Sequence, residues 1–215
     1  AAKMANYQDC ISDNMFNNIN FLKLSNTKYI ISSQHIDHPE FVHKGSFNGK
    51  HIYMLKNWFP RVFLVDSVIY LKDKAETLNL IKSSQFNPGR NAILTRNLSD
   101  LHLNSSGSNA EIDSWEPEKI QISVKVQDTC LLALSEGYYP PGWNAYIDGN
   151  ETEIFQTNHF MQSVVVPTGD HTVEFRFALP SFNRALFISR TIFIAVLLTL
   201  LGYGIWMNRQ RLKLI

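Results

Sequence analysis

Side chains that could bind a ligand are concentrated in one segment, between positions 134 and 149. Glu136 stands there near Tyr138, Tyr139, Trp143 and Tyr146, around two adjacent prolines and a glycine. Proline and glycine predict a rigid, irregular connection, and aromatic rings on it could form a platform for a sugar ring or a lipid headgroup. Glu136 is the one acid near these rings that could face such a ligand. The alternative, which we favour, is that Trp143 fills a core and the tyrosines pack around the corner.

Other residues of types that can catalyse a reaction or bind a metal do not form a recognisable catalytic or metal-binding pattern. Residues 45–50 (GSFNGK) are one residue short of a phosphate-binding loop, and His51 stands where Ser or Thr would coordinate magnesium. His35, His38 and His43 do not share one helical face and have no cysteine nearby, so a solvated loop is a better interpretation than a zinc site. We therefore expect no catalytic residue, metal or cofactor in this chain.

The composition limits the classes of protein to which this chain can belong. It has 215 residues, a net charge of +1 and 12% aromatic residues, which excludes a disordered or low-complexity protein. The near-neutral charge gives no support for a nucleic-acid partner. Residues 1–183 contain 15 Lys and Arg against 19 Asp and Glu, whereas residues 184–215 contain five basic residues and no acidic one. A mildly acidic body is thus joined to a basic, apolar tail.

The tail predicts a transmembrane helix over residues 184–208. Residues 191–207 carry no charge, and extending the segment back to residue 185 gives enough length to cross a bilayer. Arg190 can extend its side chain to the headgroups, and Tyr203 and Trp206 suit the opposite interface. Arg209 and Arg211 give a weak positive-inside bias, which predicts a cytoplasmic tail over 209–215 and an extracytoplasmic body. The alternative is a buried helix of a soluble core.

Two further features concern export. The chain begins at Ala1 without a signal peptide, so an exported body needs an upstream segment, and we expect a piece of a longer protein or a lost leader. Cys10 and Cys130 lie far apart in sequence and either form one disulfide or remain two buried free thiols.

The body is predicted to be mainly β, with an α+β region over residues 1–108. Within that region the periodicity predicts a helix over 5–24, a second helix starting at Asp73, and an irregular polar segment over 35–49. The polar residues 97–108 are the best candidate for a domain boundary. Residues 109–182 read as an antiparallel sandwich, Ig-like or jelly-roll-like, with a hairpin at Asp148-Gly149. Its seven predicted strands cover 109–115, 118–127, 129–136, 143–148, 151–157, 160–167 and 171–178.

Two motifs in this second region carry a resemblance to a known family. The first runs through Ser135, Glu136, Tyr138, Tyr139, Pro140, Gly142, Trp143, Asp148 and Gly149, and the second through Asn158, residues 164–167, Gly169, His171, Val173, Phe175 and Phe177. Together they resemble the C-terminal region of YfhO-type bacterial membrane proteins, with Pro141 as one added residue. Residues 2–9, 24–31 and 60–65 look like the preceding extracytoplasmic stretch of that family, so the resemblance covers nearly the whole chain.

The resemblance implies a part in the synthesis of envelope glycans. The family is similar to GT-C glycosyltransferases, which take sugars from polyprenyl-phosphate donors outside the cytoplasmic membrane. Their catalytic acid lies in an early loop between spans, so no catalytic residue is carried over to this chain. The expected partners are the lipid bilayer, an upstream transmembrane core of the same protein and an envelope glycan.

The aromatic segment 138–143 lies close to the predicted span, and from this position we divide the motif residues by expected role. Glu136, Tyr138, Tyr139 and Trp143 are the expected acceptor contacts. The other motif residues, expected to be structural, are Pro140, Gly142, Asp148, Gly149, Asn158, Gly169 and His171. The alternative function is a single-span, membrane-anchored sandwich that binds or assembles partners without enzymatic activity.

Overall fold

Fourteen strands form three sheets in the computed structural model, which describes residues 5–98 and 101–212. The three-stranded sheet has the order β1-β3-β2 and consists of β1 (Tyr29–Ser32), β2 (Phe41–Phe47) and β3 (Lys50–Leu55). The predicted mainly β fold is confirmed. The irregular segment predicted over 35–49 was wrong in part, because β2 lies within it. Asn48 and Gly49, both in the left-handed region, form the tight turn that joins β2 to β3.

The other eleven strands form two larger sheets. The six-stranded sheet has the order β4-β9-β13-β12-β6-β5 and consists of β4 (Val62–Val65), β5 (Ser67–Tyr70), β6 (Asn91–Leu94), β9 (Cys130–Leu134), β12 (Phe155–Thr157) and β13 (Met161–Val166). The five-stranded sheet has the order β11-β10-β14-β8-β7 and consists of β7 (Asn109–Glu116), β8 (Lys119–Val126), β10 (Trp143–Ile147), β11 (Asn150–Thr152) and β14 (Gly169–Phe177). All pairings are antiparallel except that of β5 with β6.

These two sheets pack face to face around one apolar core. Alternate residues of β8, Ile120 to Val126, point into it and meet Leu132 of β9, Val164 of β13 and Phe175 of β14. The period-two pattern that predicted half-buried strands is therefore confirmed for β8. The predicted hairpin at Asp148-Gly149 is confirmed too, since Ile147 pairs with Asn150 across it.

Short helices cover the opposite face of the six-stranded sheet. They are α1 (Ala5–Ser12), a 3-10 turn (Met15–Asn17), α2 (Ile19–Leu24) and α3 (Lys74–Lys82). Phe21 of α2 and Ile81 of α3 pack with Ala133 of β9 in this second core. The single helix predicted over 5–24 was wrong, because Asn14 adopts a left-handed conformation (φ 55°) and the chain restarts at an Asn18 cap. The start predicted at Asp73 is confirmed, since its carboxylate accepts the Glu76 amide at 2.8 Å.

The two predicted regions of the body share one sheet. β4, β5 and β6 come from the first region, and β9, β12 and β13 come from the second. Ala1–Phe177 accordingly form one compact unit, with no division near residue 108, while Ala178–Ile215 form the other.

Both cysteines are free and buried. Cys10 lies in the core beneath the helices and Cys130 in the core of the sandwich, so they are on opposite faces of the six-stranded sheet. Of the two alternatives from the sequence, the structure supports the buried free thiols. Burial raises the pKa of Cys10 to about 12 and that of Cys130 to about 11.

The second unit contains the long helix α4 (Pro180–Leu212). Among the described residues it is the one helix long and apolar enough to cross a membrane, over Arg184–Trp206. Arg190, Tyr203 and Trp206 lie within this segment, and the rings of Tyr203 and Trp206 stack with centroids 5.9 Å apart. The side chains of Arg209 and Arg211 lie outside the described ones.

Candidate functional site

Residues 135–142 connect β9 to β10 and are tied to the body by hydrogen bonds from both sides. The Ser135 hydroxyl donates to the Leu24 carbonyl at 2.7 Å, and the Ser135 amide donates to the Arg61 carbonyl at 2.8 Å. The Tyr138 amide donates to the Phe160 carbonyl at 2.9 Å. The sandwich and the helices on the other face of the six-stranded sheet therefore both hold this connection in place.

Glu136 is the acidic group of this connection. Its Oε2 lies 3.4 Å from Nη1 of Arg61, and both side chains remain partly accessible. Burial raises the pKa of Glu136, while the Arg61 charge and a backbone hydrogen bond from Gly137 oppose that shift. In such a pair, the guanidinium can donate hydrogen bonds to a polar ligand and the half-buried carboxylate can accept them.

Arg61 joins Glu136 to an aromatic ring that the sequence did not connect with it. Its guanidinium carbon lies 4.2 Å above the ring centroid of Trp115, whose side chain is 42% exposed. Arg61 precedes β4, Trp115 lies on β7 and Glu136 follows β9, so these residues come from both sheets of the sandwich. We refer to these three residues as the Arg61–Trp115–Glu136 cluster.

The aromatic residues of the 135–142 connection divide into accessible and buried ones. Trp143 is 8% exposed and belongs to the sandwich core, which agrees with the packing alternative. Its ring meets Phe177 edge to face at 5.1 Å, and Tyr139 stacks on Phe177 at 6.3 Å. Of the four predicted contacts, Tyr139 is exposed, Glu136 and Tyr138 are half-buried, and Trp143 is buried.

Gly142 shows why this connection needs a glycine. A Cβ at this position would lie 2.3 Å from Cε2 of Phe177, well inside contact distance. The backbone thus approaches the Phe177 ring more closely than any side chain would permit. Pro140, in contrast, is exposed in the turn that precedes it.

Three of the other motif residues lie together at the end of the β10–β11 hairpin. Asp148 and Gly149 occupy the turn with φ values of 51° and 82°. The Asp148 carboxylate accepts the Thr172 amide at 2.8 Å and lies 2.6 Å from Nδ1 of His171. This hydrogen bond lowers the pKa of Asp148 and raises that of His171. Gly169 begins β14 with φ 133°.

Asn158 connects two strands of the six-stranded sheet from a buried position. It adopts a left-handed conformation (φ 50°), and its amide donates to the Ile93 carbonyl at 2.8 Å. Its side-chain Oδ1 accepts the Ile93 amide at 2.9 Å. Where the pairing between β12 and β6 ends, the Asn158 side chain therefore takes the place of a backbone acceptor for the Ile93 amide.

The histidines are arranged differently from the sequence-based expectation. His35, His43 and His51 lie on one side of the three-stranded sheet, with ring centroids 5.7–6.4 Å apart. His38 instead contacts Phe41. Sequence reasoning missed His51, which the β2–β3 hairpin brings opposite Ser46. Within residues 5–98 and 101–212, no group of three or more His, Cys, Asp or Glu residues is arranged to hold a metal ion.

The comparisons with known proteins identify one family. A family model described as "Bacterial membrane protein YfhO" matches residues 46–189, about two thirds of the chain. The match includes all three members of the Arg61–Trp115–Glu136 cluster and reaches into α4. No curated protein and no solved structure matches the chain.

Proposed function

The chain belongs to the YfhO family of bacterial membrane proteins, and from this membership we propose that its sandwich body binds an envelope glycan outside the cytoplasmic membrane. In this proposal the body presents the acceptor for glycosyl transfer from a polyprenyl-phosphate sugar. The C-terminus lies in the cytoplasm, and the transfer itself takes place in an upstream membrane core of the same protein.

The observation that carries the proposal is the Arg61–Trp115–Glu136 cluster. Sugar-binding sites combine an aromatic surface, which contacts the apolar C–H face of the ring, with planar charged groups that hydrogen-bond its hydroxyls. Arg61 covers part of the Trp115 ring, and the part that stays exposed is the aromatic surface in this proposal, while Arg61 donates and Glu136 accepts. Partial burial of Glu136 strengthens its hydrogen bonds, because the local dielectric constant is below that of water.

Tyr139 extends the proposed site along the 135–142 connection. Its ring stacks on Phe177 and stays exposed, so a second sugar unit has an aromatic surface next to that connection. Trp143 packs against Phe177 in the core and supports the site in this way, but it makes no direct contact with the glycan. The motif thus divides into accessible binding residues and buried positioning residues.

Binding of purified wall teichoic acid and of peptidoglycan fragments to the full chain in lipid nanodiscs tests the proposal. Glu136→Gln keeps the shape of the side chain but removes its charge, and we expect it to weaken binding about tenfold or more. Trp115→Ala should have an effect of similar size. Glu118→Gln, an exposed carboxylate on the β7–β8 turn, is the matched control and should bind normally.

Two results would contradict the proposal. One is that none of the glycans binds to the folded wild-type chain. The other is that Glu136→Gln and Trp115→Ala bind a glycan as well as the wild type does, which would locate binding elsewhere.

A second candidate is an anchored binding or assembly module that takes no part in glycosyl transfer. The candidate span Arg184–Trp206 follows the last strand of the sandwich, and a span in this position is sufficient to anchor such a module. The same variant separates the two candidates in cells. If Glu136→Gln abolishes glycan binding and reduces envelope glycosylation, the first holds, whereas unchanged glycosylation supports the second.

A further inference from the structure

The three-stranded sheet has one face on which every apolar side chain is exposed or half-buried. Residues that pair across antiparallel strands point to the same side, so the register places six apolar side chains on this face. They are Tyr29, Ile31, Val42, Phe47, Ile52 and Met54. We call this surface the apolar face.

Exposure on the apolar face is large for side chains of this type. Tyr29, Ile31 and Phe47 are 53%, 69% and 73% exposed, whereas Tyr53 and Leu55, which point to the other side of β3, are buried. Trp58 stands nearby, with Nζ of Lys28 4.5 Å from its ring centroid. Contiguous exposed apolar side chains of this kind mark a surface that has a partner.

Charge indicates which partner this is. Residues 28–58 contain four lysines, Lys28, Lys44, Lys50 and Lys56, against Asp37 and Glu40. Glu40 is further neutralised by Lys23 at 3.2 Å. The rest of residues 1–183 contains 11 basic against 17 acidic residues. An anionic surface would therefore attract this sheet and repel most of the remaining body.

Exposed aromatic and aliphatic side chains with lysines near them are typical of protein surfaces that bind the interface of an anionic bilayer. Tyrosine and tryptophan occupy the headgroup level, phenylalanine and isoleucine enter the acyl boundary, and lysine ammonium groups pair with lipid phosphates. The same chain carries the candidate span Arg184–Trp206, so the body is tethered to a membrane. Tethering raises the effective concentration of lipid at the body and makes a weak contact sufficient.

We propose that the apolar face docks on the surface of an anionic lipid bilayer, with Ile31 and Phe47 inserted and the surrounding lysines on the headgroups. This contact is additional to the membrane span, and it does not depend on glycan binding by the Arg61–Trp115–Glu136 cluster. It would hold the body in one orientation on the membrane.

Depth measurements with a spin label test this in the full chain. A nitroxide is attached to Phe47→Cys in nanodiscs of phosphatidylcholine with or without phosphatidylglycerol. Leu101→Cys is the control, because Leu101 is also an exposed apolar residue, at 43% against 73% for Phe47, but lies outside the apolar face. The native cysteines are buried and do not compete for the label. Unfolding midpoints equal to the wild type confirm that both variants fold.

With phosphatidylglycerol, we expect the label at position 47 to be more accessible to oxygen and less accessible to a polar nickel reagent than the label at 101. Replacing Lys44 or Lys50 by Gln should lower the ratio of docked to undocked molecules about fivefold for each charge removed. Equal accessibility at 47 and 101 in anionic nanodiscs would overturn the proposal. Shielding of position 47 from both reagents, independent of lipid charge, would also overturn it, because a protein surface would then be the partner.

Discussion

The six-stranded and three-stranded sheets of the body contain strands of similar apolar character but differ in how many of their faces are covered. All five residues of β9, Cys130–Leu134, are buried, because one face meets the five-stranded sheet and the other meets the helices. In β1, Tyr29–Ser32, exposed and half-buried residues alternate. An apolar strand covered on both sides stabilises the fold, while one that leaves a face open is available for contacts outside the body.

The largest expected difference between the sheets concerns two phenylalanines. Phe175→Ala, in the sandwich core, should lower the free energy of unfolding by about 3–5 kcal/mol because it leaves a cavity. Phe47→Ala, on the apolar face, should change it by less than about 0.5 kcal/mol. Denaturant titration of the full chain in detergent measures both. Equal losses would show that Phe47 is buried in the folded protein.

Two asparagines in the left-handed region give the next largest difference. Asn158→Ala should cost about 2–3 kcal/mol, because it leaves the buried Ile93 amide without an acceptor and places alanine at φ 50°. Asn48→Ala, in the exposed turn at φ 47°, should cost only about 1 kcal/mol. Asn158→Gly tolerates φ 50° but still leaves the Ile93 amide without an acceptor, so it should recover only about 1 kcal/mol of that loss. If Asn158→Ala lowered the free energy of unfolding no more than Asn48→Ala does, the hydrogen bond to the Ile93 amide would contribute nothing to stability.

Hydrogen exchange separates local from global opening in the two sheets. Gly49 holds the β2–β3 turn with φ 69°, and alanine there should weaken the hairpin by about 1 kcal/mol. We expect Gly49→Ala to speed exchange of the β1 and β3 amides about fivefold and to leave the β9 amides unchanged. Faster exchange in β9 to the same extent would show that both sheets open as one unit.

The smallest expected effect is a pH dependence at the end of β9. Because the pKa of Glu136 is raised in the folded state, the folded protein holds this proton more tightly than the unfolded chain does. Stability should therefore fall as pH rises from the ordinary value of 4.5 through the raised pKa. Glu136→Gln should remove that slope and make the protein slightly more stable at pH 7. A matching loss of glycan affinity would show that the carboxylate is retained for binding.

Several elements were predictable because their signals are local. The alternation of Ile120, Ile122, Val124 and Val126 was enough to predict β8, since strand side chains alternate between two faces. Asp73 predicted the start of α3, and Asp148-Gly149 predicted a hairpin, because each depends on residues within a few positions. The two motifs that resemble the YfhO family led to the family that the comparison identifies.

The Arg61–Trp115–Glu136 cluster could not be predicted, because none of its contacts is local. Arg61 and Glu136 are 75 positions apart and meet because β4 pairs with β9. Trp115 joins them from the other sheet of the sandwich. Its exposed position on a strand gave no sign of a partner. The left-handed Asn14 that divides the first helix had a usable signal, since Asn14, Asn17 and Asn18 interrupt the apolar period.

The amino-acid sequence by itself determined strands such as β8, the tight turn at Asp148-Gly149 and which helix is apolar on all sides, but it did not reveal β2 or the turn that follows it. These properties follow from backbone preference and from the spacing of apolar side chains along a few turns or strand pairs. Only the tertiary structure decided the order of strands in each sheet, the placement of Cys10 and Cys130 on opposite faces, and the exposure of the apolar face. A side-chain pattern shows that a face is apolar, but what covers that face depends on contacts between residues far apart in the chain.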